Sequence, residues 1–336
     1  MPARVQSRPV LRRLGTKFCG SNSSIDNGHR ASSSKLHGDV LTSDLIGNTV
    51  TTSNVNLSTI STDSNTKVQR FMVLGSARTG SNLLLSLLSA HPHIKTYGEL
   101  FNLDMLPETS LIEVLDDPIT YLRRRVFQDH KSEIAAVGFK MFYDHLTNDY
   151  FTKLVNMSDA APQLREKYTQ FSSFIESNYA WATLDQRFHA TWEFLRAEQS
   201  LAVIHLQRRN MLHTLISLKQ AYMTSQWWSL KSSPQTTPPV HLDPEECCRY
   251  FEKLSNSAAE ADAVFAEHPK INVIHEDLIE KQQDTMQQIF AFLKVPYEPV
   301  KTRMKKQNLA SPRETVTNYE QLKVYFRNTR WDVFFE

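Results

Sequence analysis

A short loop near residue 75 has the composition of an anion-binding site. It reads Gly75-Ser76-Ala77-Arg78-Thr79-Gly80-Ser81-Asn82, follows the apolar run Phe71–Leu74 and leads into the helical pattern Ser81–Ala90. A turn from a strand into a helix directs the first N–H groups of the helix, and the positive end of its dipole, at one point. The loop therefore predicts a site for a phosphate or a related anion.

The residues after the second glycine argue against one common use of such a loop. The spacing Gly75-x-x-x-x-Gly80 is that of nucleotide triphosphatases, in which Lys and then Ser or Thr come next. Here Ser81 and Asn82 come next, and the cation lies inside the loop as Arg78. Hydrolysis of ATP or GTP is therefore disfavoured, and a turn that binds no ligand is the structural alternative.

A second cationic loop follows a later apolar run. Arg209 comes soon after the run Leu201–Leu206, and Ser217 lies eight residues further along a helical pattern. Ligands of open α/β sheets gather at the carboxyl ends of the strands. An arginine fork and a serine hydroxyl in these places are suited to holding one phosphate.

The elements that must position these loops alternate along the chain. Strands are predicted at four apolar runs, which are Phe71–Leu74, Ala136–Met141, Leu201–Leu206 and Ile271–Ile274. Helices are predicted at Ser81–Ala90, Gln163–Ser177, Trp181–Glu198, Asn210–Thr224, Pro244–Glu267 and Gln282–Leu293. This alternation predicts the α/β class, with a central parallel sheet, helices on both of its faces and a helical insertion over residues 105–200.

The first 69 residues differ in composition from the rest. They are rich in Ser, Thr and Asn and hold Phe18 as their only aromatic residue, so residues 1–69 are predicted to be a disordered extension. Residues 70–336 are predicted to be one domain. The first 25 residues hold five basic residues and no acidic one, which is typical of an organellar transit peptide and leaves an organelle as one possible location.

The overall composition excludes several classes of protein. The 38 basic and 36 acidic residues give a formal net charge of +2, so binding to nucleic acid by bulk charge is not expected. The three cysteines lack the spacing of a disulfide framework or a metal site, which favours a reducing compartment such as the cytoplasm. No run reaches the roughly 18 apolar residues of a membrane-spanning helix.

The two cationic loops together resemble those of the PAPS-dependent sulfotransferases, in particular the branch with nodulation and glycolipid sulfotransferases. The resemblance extends over about residues 70–336 and includes the stretches VIHLQRRNMLHTLISLKQA, INVIHEDL and SPRETVTNYEQL. It implies a sulfotransferase fold similar to that of the P-loop nucleotide triphosphatases. It also implies 3′-phosphoadenosine 5′-phosphosulfate (PAPS) as the sulfuryl donor, PAP as a product, and no metal.

The resemblance assigns the two ends of the donor to the two loops. The residues that it assigns to the 5′-phosphosulfate are Arg78, Thr79, Gly80, Ser81 and Asn82. It assigns the 3′-phosphate to Arg209 and Ser217. Arg313, in the late segment Ser311-Pro312-Arg313, is expected to close over the nucleotide, and its alternative is a solvated surface charge.

Sulfuryl transfer to a hydroxyl needs a base and a cation near the leaving phosphate. Arg78 is predicted to stabilise charge on the bridging oxygen. Glu99 is the expected base because related carbohydrate sulfotransferases have a glutamate at this place, and an ion pair with a lysine or a helix cap is the alternative. His145, which follows the run ending at Met141, is a rival base, and its alternative is a place in the lining of the acceptor pocket or on the surface.

Several assignments stay open at this point. Lys140 either reaches the donor or extends to the edge of the sheet, and Trp227-Trp228 either stacks on a flat acceptor or anchors the loop Lys231–Val240. The acceptor is the hydroxyl or amine of a carbohydrate, a glycolipid or a small natural product, and the oligomeric state is left open. A small-molecule kinase and a non-catalytic nucleotide-binding protein are the alternative functions.

Overall fold

The described part of the chain is built around a sheet of five parallel strands. The computed structural model describes residues 68–147, 160–227, 238–302, 304 and 310–336. The strands are β1 (Gln69–Gly75), β2 (Ile94–Glu99), β3 (Ala136–Phe142), β4 (Ala202–Gln207) and β5 (Lys270–Ile274). Their order across the sheet is β2-β3-β1-β4-β5. The predicted α/β class with a central parallel sheet is therefore confirmed.

Helices connect the strands. In chain order they are α1 (Ser81–Leu88), α2 (Glu108–Asp116), α3 (Pro118–Leu122), α4 (Pro162–Asn178), α5 (Trp181–Ala197), α6 (Met211–Thr224), α7 (Pro244–Val264), α8 (His275–Glu280), α9 (Gln282–Phe292), α10 (Pro312–Thr315) and α11 (Tyr319–Phe326). Short 3₁₀ turns span Leu103–Met105 and Asp332–Phe335, and a π-helical turn spans Arg123–Phe127. Within the described ranges, no helix is both long and apolar enough to cross a membrane.

Alternating residues of the central strand face two separate cores. Met72 and Leu74 of β1 pack into a core that α2, α3, α4 and α5 complete. Phe71 and Val73 pack on the opposite face, against α1 and α9. Because a strand covered on both faces buries every side chain, it has a continuous apolar sequence instead of an alternating one. The predicted cover of helices on both faces is therefore confirmed.

The carboxyl ends of the three middle strands lie at the same level. Gly75, the last residue of β1, is paired with Phe142 of β3 on one side and with Leu206 of β4 on the other. The turns that follow these strands therefore leave the sheet side by side. They carry the phosphate loop, the segment with His145, and the loop with Arg209.

Local sequence signals fix where the helices behind these turns begin. The side chain of Asn210 accepts hydrogen bonds from the N–H groups of Leu212 and His213, which caps α6. Asp243 caps α7 in the same way, and Pro244 occupies its first turn. Farther along α7, Phe251 packs edge-on against Phe334 at 5.1 Å between ring centroids, which attaches the C-terminal segment to α7.

The sheet has one more strand than the four that the apolar runs predict. Strand β2 has the sequence IKTYGE and lies at the edge of the sheet, where Ile94 is its only fully buried residue. An edge strand of this composition lacks the apolar run that reveals the buried strands. The disordered extension predicted for residues 1–69 lies almost wholly outside the described residues, as do Trp228 and most of the loop Lys231–Val240, so those expectations stay predictions.

Candidate active site

The phosphate loop leaves the N-terminus of α1 open. Gly80 precedes the helix with φ of +85°, a conformation that glycine adopts without strain, and a Cβ there would lie 2.1 Å from Nδ1 of His275. Among the described residues, no side chain caps α1. The first N–H groups of a helix have no partners within it, so those of α1 are placed to bind an anion.

Arg78 crosses from this loop to α6. Its Nε donates a hydrogen bond to Oγ of Ser217 at 2.9 Å, and its Nη1 donates to the backbone carbonyl of Trp227. The backbone of Arg78 has φ of 66°, which is uncommon for a residue with a side chain. Burial, followed by the nearby charge of Arg208, lowers the pKa of Arg78 to about 10, so the guanidinium is still charged at neutral pH.

A buried ion pair lies beside the start of α1. Lys140 of β3, with 2 % of its side chain exposed, pairs with Glu99 at the end of β2. Its Nζ also donates to Oδ1 of Asn82 at 2.5 Å and to Oγ of Ser81 at 3.3 Å. The Glu99 carboxylate accepts a further hydrogen bond from Asn102. Two neighbouring strands and the phosphate-loop helix therefore meet at one ammonium group.

The sheet explains why this pair forms. Glu99 and Lys140 are direct partners across the β2–β3 ladder, after a register shift that follows Thr96. Gly98, with φ of +66°, lies within that irregular stretch. The structure therefore shows the ion pair with a lysine that is the alternative expectation for Glu99, and its role as the base stays a prediction.

Glu99 is ionised at neutral pH. Burial alone would raise its pKa, but the charge of Lys140 and the hydrogen bonds from Lys140 and Asn102 outweigh burial, so the pKa lies below its usual value. A carboxylate held in this state accepts hydrogen bonds and can accept a proton. It therefore has the chemistry of a general base.

His145 is neutral in the same region. Its side chain is buried after β3, and burial lowers its pKa to about 4 despite the opposing charge of Glu99. The N–H of Phe142 donates to Nδ1 at 3.3 Å, which assigns the ring proton to Nε2. In this tautomer His145 offers a hydrogen-bond donor through Nε2 and has no lone pair there to act as a base.

These groups line one cavity of about 370 Å³. Its volume lies within the range of small-molecule sites. Part of its lining is cationic or polar and comes from the phosphate loop, α1 and β3, namely Arg78, Ser81, Asn82 and Lys140. Glu99 and His145 also line it. The lining further includes aromatic and acidic side chains, which are Asp104, Tyr168, Tyr222 and Trp227.

Three other residues expected at the site have different surroundings. Arg209 is 56 % exposed and forms an ion pair with Asp277 of α8 at 2.6 Å. Arg313 is 74 % exposed and pairs with Glu320 at 2.8 Å. The hydroxyl of Thr79 donates to the Ser76 carbonyl at 2.7 Å and so closes the phosphate loop on itself. The roles expected for these three side chains toward the donor stay predictions.

No role is predicted for Arg208 from the sequence. Its Nη1 donates to the backbone carbonyl of Arg78 at 3.3 Å, and its Nε lies 3.8 Å from Glu276 of α8. The same Glu276 carboxylate accepts the N–H of Arg209 at 3.0 Å. Arg208 thus connects the phosphate loop to the loop after β4. The pair Arg208-Arg209 directly after β4 is the sequence feature that could have indicated its role.

Comparisons with known proteins identify the family of this chain. Residues 70–299 match the profile of a family described as the sulfotransferase family. Nodulation protein H of Rhizobium tropici is 26% identical over 270 residues, which cover 79% of this chain and 92% of that protein. Nodulation protein H of Rhizobium meliloti strain 1021 is 27% identical over 272 residues, which cover 80% of this chain and 95% of that protein.

A solved structure is also similar. The crystal structure of a sulfotransferase from Alicyclobacillus acidocaldarius aligns with 77% of this chain and 91% of its own, at 14% identity and a TM-score of 0.37. The family profile matches well over half of the chain, and its range contains both cationic loops, Glu99 and Lys140. The chain belongs to the sulfotransferase family.

Proposed function

We propose that this protein transfers the sulfuryl group of PAPS to a hydroxyl or amine of an acceptor bound in the cavity. The observation that carries the proposal is the cluster of Glu99, Lys140 and Asn82 beside the open N-terminus of α1. A carboxylate beside the start of a helix supports the proposal, because sulfuryl transfer needs a proton acceptor and a group that binds the anionic donor. The proposed reaction is metal-independent, because cationic side chains supply the charge.

The cationic part of the cavity lining fits a phosphosulfate. PAPS supplies an activated sulfuryl group whose bond to the 5′-phosphate breaks as a bond to the acceptor oxygen or nitrogen forms. The first N–H groups of α1, together with Ser81 and Asn82, would hold the anion. Arg78, which is half-buried, and Lys140, which is buried, are cationic and would stabilise the charge that develops on the leaving phosphate.

Glu99 is the proposed base. It is ionised, lines the cavity and would take the proton of the acceptor hydroxyl as the oxygen–sulfur bond forms. His145 lines the same cavity but carries its proton on Nε2, so we assign it a hydrogen bond to an oxygen of the reacting groups. The tautomer of His145 therefore favours Glu99 over His145 as the base.

The 3′-phosphate of the donor is assigned to Arg209 and Ser217. Ser217 already contacts Arg78, so a phosphate bound by the serine would adjoin the phosphate loop. Arg209 would exchange its contact with Asp277 for one with the phosphate. Arg313 is assigned to the outer side of the nucleotide. The proposed acceptor is a carbohydrate, a glycolipid or a small natural product.

Two measurements test the proposed function. PAP should raise the melting temperature of the protein, because a ligand that binds only the folded state stabilises it. PAPS labelled in its sulfuryl group should transfer label to members of a panel of oligosaccharides, glycolipids and phenols, and Glu99→Gln should abolish most of that transfer. A larger thermal shift with ATP and Mg²⁺ than with PAP would favour a kinase. Binding of PAP without any transfer would favour a non-catalytic nucleotide-binding protein.

A further inference from the structure

Part of the cavity lining is acidic and aromatic. Asp104, in the 3₁₀ turn after β2, lines the cavity, and only 7 % of its side chain is exposed. Its carboxylate accepts a hydrogen bond from the Tyr168 hydroxyl and lies 3.8 Å from the ammonium of Lys167. A carboxylate with so little contact with water is costly unless partners offset its charge. The reaction proposed above makes no use of it.

Two helices hold aromatic side chains around this carboxylate. Tyr168 lies on α4, and Tyr222 lies near the end of α6. The ring of Tyr222 meets that of Trp227 edge-on, at 5.0 Å between centroids. The charge of Asp104 adds to the effect of burial in raising the pKa of both tyrosines, so both keep their hydroxyl protons at neutral pH. The lining thus combines aromatic rings with hydroxyl groups and one carboxylate.

The cavity lining carries charges of both signs. Arg78 and Lys140 are cationic residues of the lining. Asp104 contributes a carboxylate, and the ammonium of Lys167, which is 45 % exposed and lies on α4, is 3.8 Å from it. A second anion brought against a buried carboxylate is repelled more strongly than in water, because the surroundings screen charge poorly. A group that donates hydrogen bonds, or an ammonium, would be attracted.

We propose that Asp104, Tyr168, Tyr222 and Trp227 form an acceptor-recognition subsite that selects a ring bearing hydroxyl or amino groups and rejects acceptors with an anionic group at this place. The inference rests on the proposed function, since it concerns the acceptor of that reaction. Asp104 accepts a hydrogen bond from a group of the acceptor other than the reacting one. The aromatic rings pack on the apolar face of the acceptor. Asp104 is a specificity residue and not the base, which is Glu99.

The test compares neutral, aminated and acidic acceptors in one transfer assay. The neutral probes are cellobiose and N,N′-diacetylchitobiose, and the aminated probe is the deacetylated form of the latter. Cellobiouronic acid is the acidic probe, and each is assayed with labelled PAPS. The wild-type protein is expected to favour the first three over the acid by at least tenfold in kcat/KM. Asp104→Asn is expected to raise the acceptor KM about tenfold, to change kcat and the KM for PAPS less than twofold, and to reduce the discrimination against the acid.

Matched variants separate recognition from folding. Tyr168→Phe should raise the acceptor KM less than Asp104→Asn does, and Asp104→Glu should restore part of the affinity. Asp284→Asn makes the same change at an exposed site in the first turn of α9 and should alter neither constant. Thermal unfolding with and without PAP shows whether each variant is folded and binds the donor product.

The results separate failure of the proposed subsite from failure of the proposed function. Preference for the uronic acid, or an unchanged acceptor KM in Asp104→Asn, overturns the subsite while leaving sulfuryl transfer intact. PAP binding with no transfer to any neutral or aminated probe also overturns it. If PAP does not bind and no probe is labelled, the proposed function fails, and the subsite fails with it.

Discussion

The guanidinium of Arg78 donates a hydrogen bond to the hydroxyl of Ser217 at 2.9 Å. This contact joins the loop after β1 to the helix after β4, and those two strands are neighbours in the sheet. Arg208 adds a second connection through the Arg78 carbonyl. We therefore expect a substitution in either loop to affect the other loop, and with it the proposed donor site.

Arg78→Lys tests how much of donor binding depends on the shape of the guanidinium. Lysine keeps the charge but has a single nitrogen, so it cannot bind Ser217 and the Trp227 carbonyl in the geometry that the arginine fork allows. We expect the Kd for PAP to rise about tenfold or more. Isothermal titration calorimetry measures this, with Arg249→Lys, an exposed residue of α7, as the control. An unchanged Kd for PAP would contradict the role of Arg78.

Glu99→Gln tests the proposed role of Glu99 as the general base. Glutamine has nearly the same shape and still accepts hydrogen bonds, but it takes up no proton. We expect kcat to fall by about 10² to 10⁴ while the Kd for PAP changes less than threefold. Single-turnover transfer of labelled sulfuryl from PAPS measures the chemical step directly. Transfer at the wild-type rate would assign the base to another group, and His145→Gln is the variant to compare.

Lys140→Met tests the stability of the buried ion pair. The lysine is almost fully buried, so its removal leaves the Glu99 carboxylate without its main partner. Breaking a buried pair from one side costs about 3–5 kcal/mol, and the partial exposure of Glu99 favours the lower end. Urea unfolding should show a loss of about 3 kcal/mol. The double variant Lys140→Met, Glu99→Gln should lose less than the sum of the two single changes, and additive losses would contradict the coupling.

The neutral state of His145 makes stability depend on pH. Its pKa is about 4 in the folded protein, against an ordinary value of 6.5, because burial disfavours the charged ring. As pH falls below 6.5 the unfolded chain takes up a proton that the folded protein refuses, so stability is complete above pH 6.5 and declines toward pH 4. The loss amounts to about 3 kcal/mol over that range.

His145→Gln isolates this contribution. His130 and His205 also have lowered pKa values, so they add to the pH dependence of both proteins. The quantity to measure is the difference in urea-unfolding free energy between wild type and variant at pH 7, 6 and 5. That difference should shrink as pH falls. A difference that stays constant across these pH values would show that His145 does not carry the effect.

The apolar runs located most of the fold. The four predicted strands begin and end within a residue or two of the observed ones, because strands covered by helices on both faces need continuous apolar sequence. Strand β2 was missed since its edge position allows Lys95 and Thr96 within it. The resemblance predicts Glu99 as a site residue, although the apolar runs do not predict the strand that holds it.

The details of the site depend on contacts that no local pattern contains. Spacing pairs Ser217 with Arg209, and in the structure the Ser217 hydroxyl accepts a hydrogen bond from Arg78, which the spacing does not predict. No motif or spacing in the sequence predicts Asp104 as a site residue. Its surroundings come from α4 and α6, which are distant in the sequence and meet only through tertiary packing.

The ion pair between Arg209 and Asp277 gives the last prediction, because Asp277 holds the guanidinium that the 3′-phosphate is proposed to bind. Arg209→Ala should weaken PAP binding about tenfold, while binding of adenosine 5′-phosphosulfate, which lacks the 3′-phosphate, should change little. Asp277→Asn removes the competing charge and should tighten PAP binding about two- to fivefold, with a stronger effect at low salt. Calorimetry with both nucleotides at two salt concentrations measures these changes. Equal losses for the two nucleotides in Arg209→Ala would assign the arginine to the stability of the loop instead of to the 3′-phosphate.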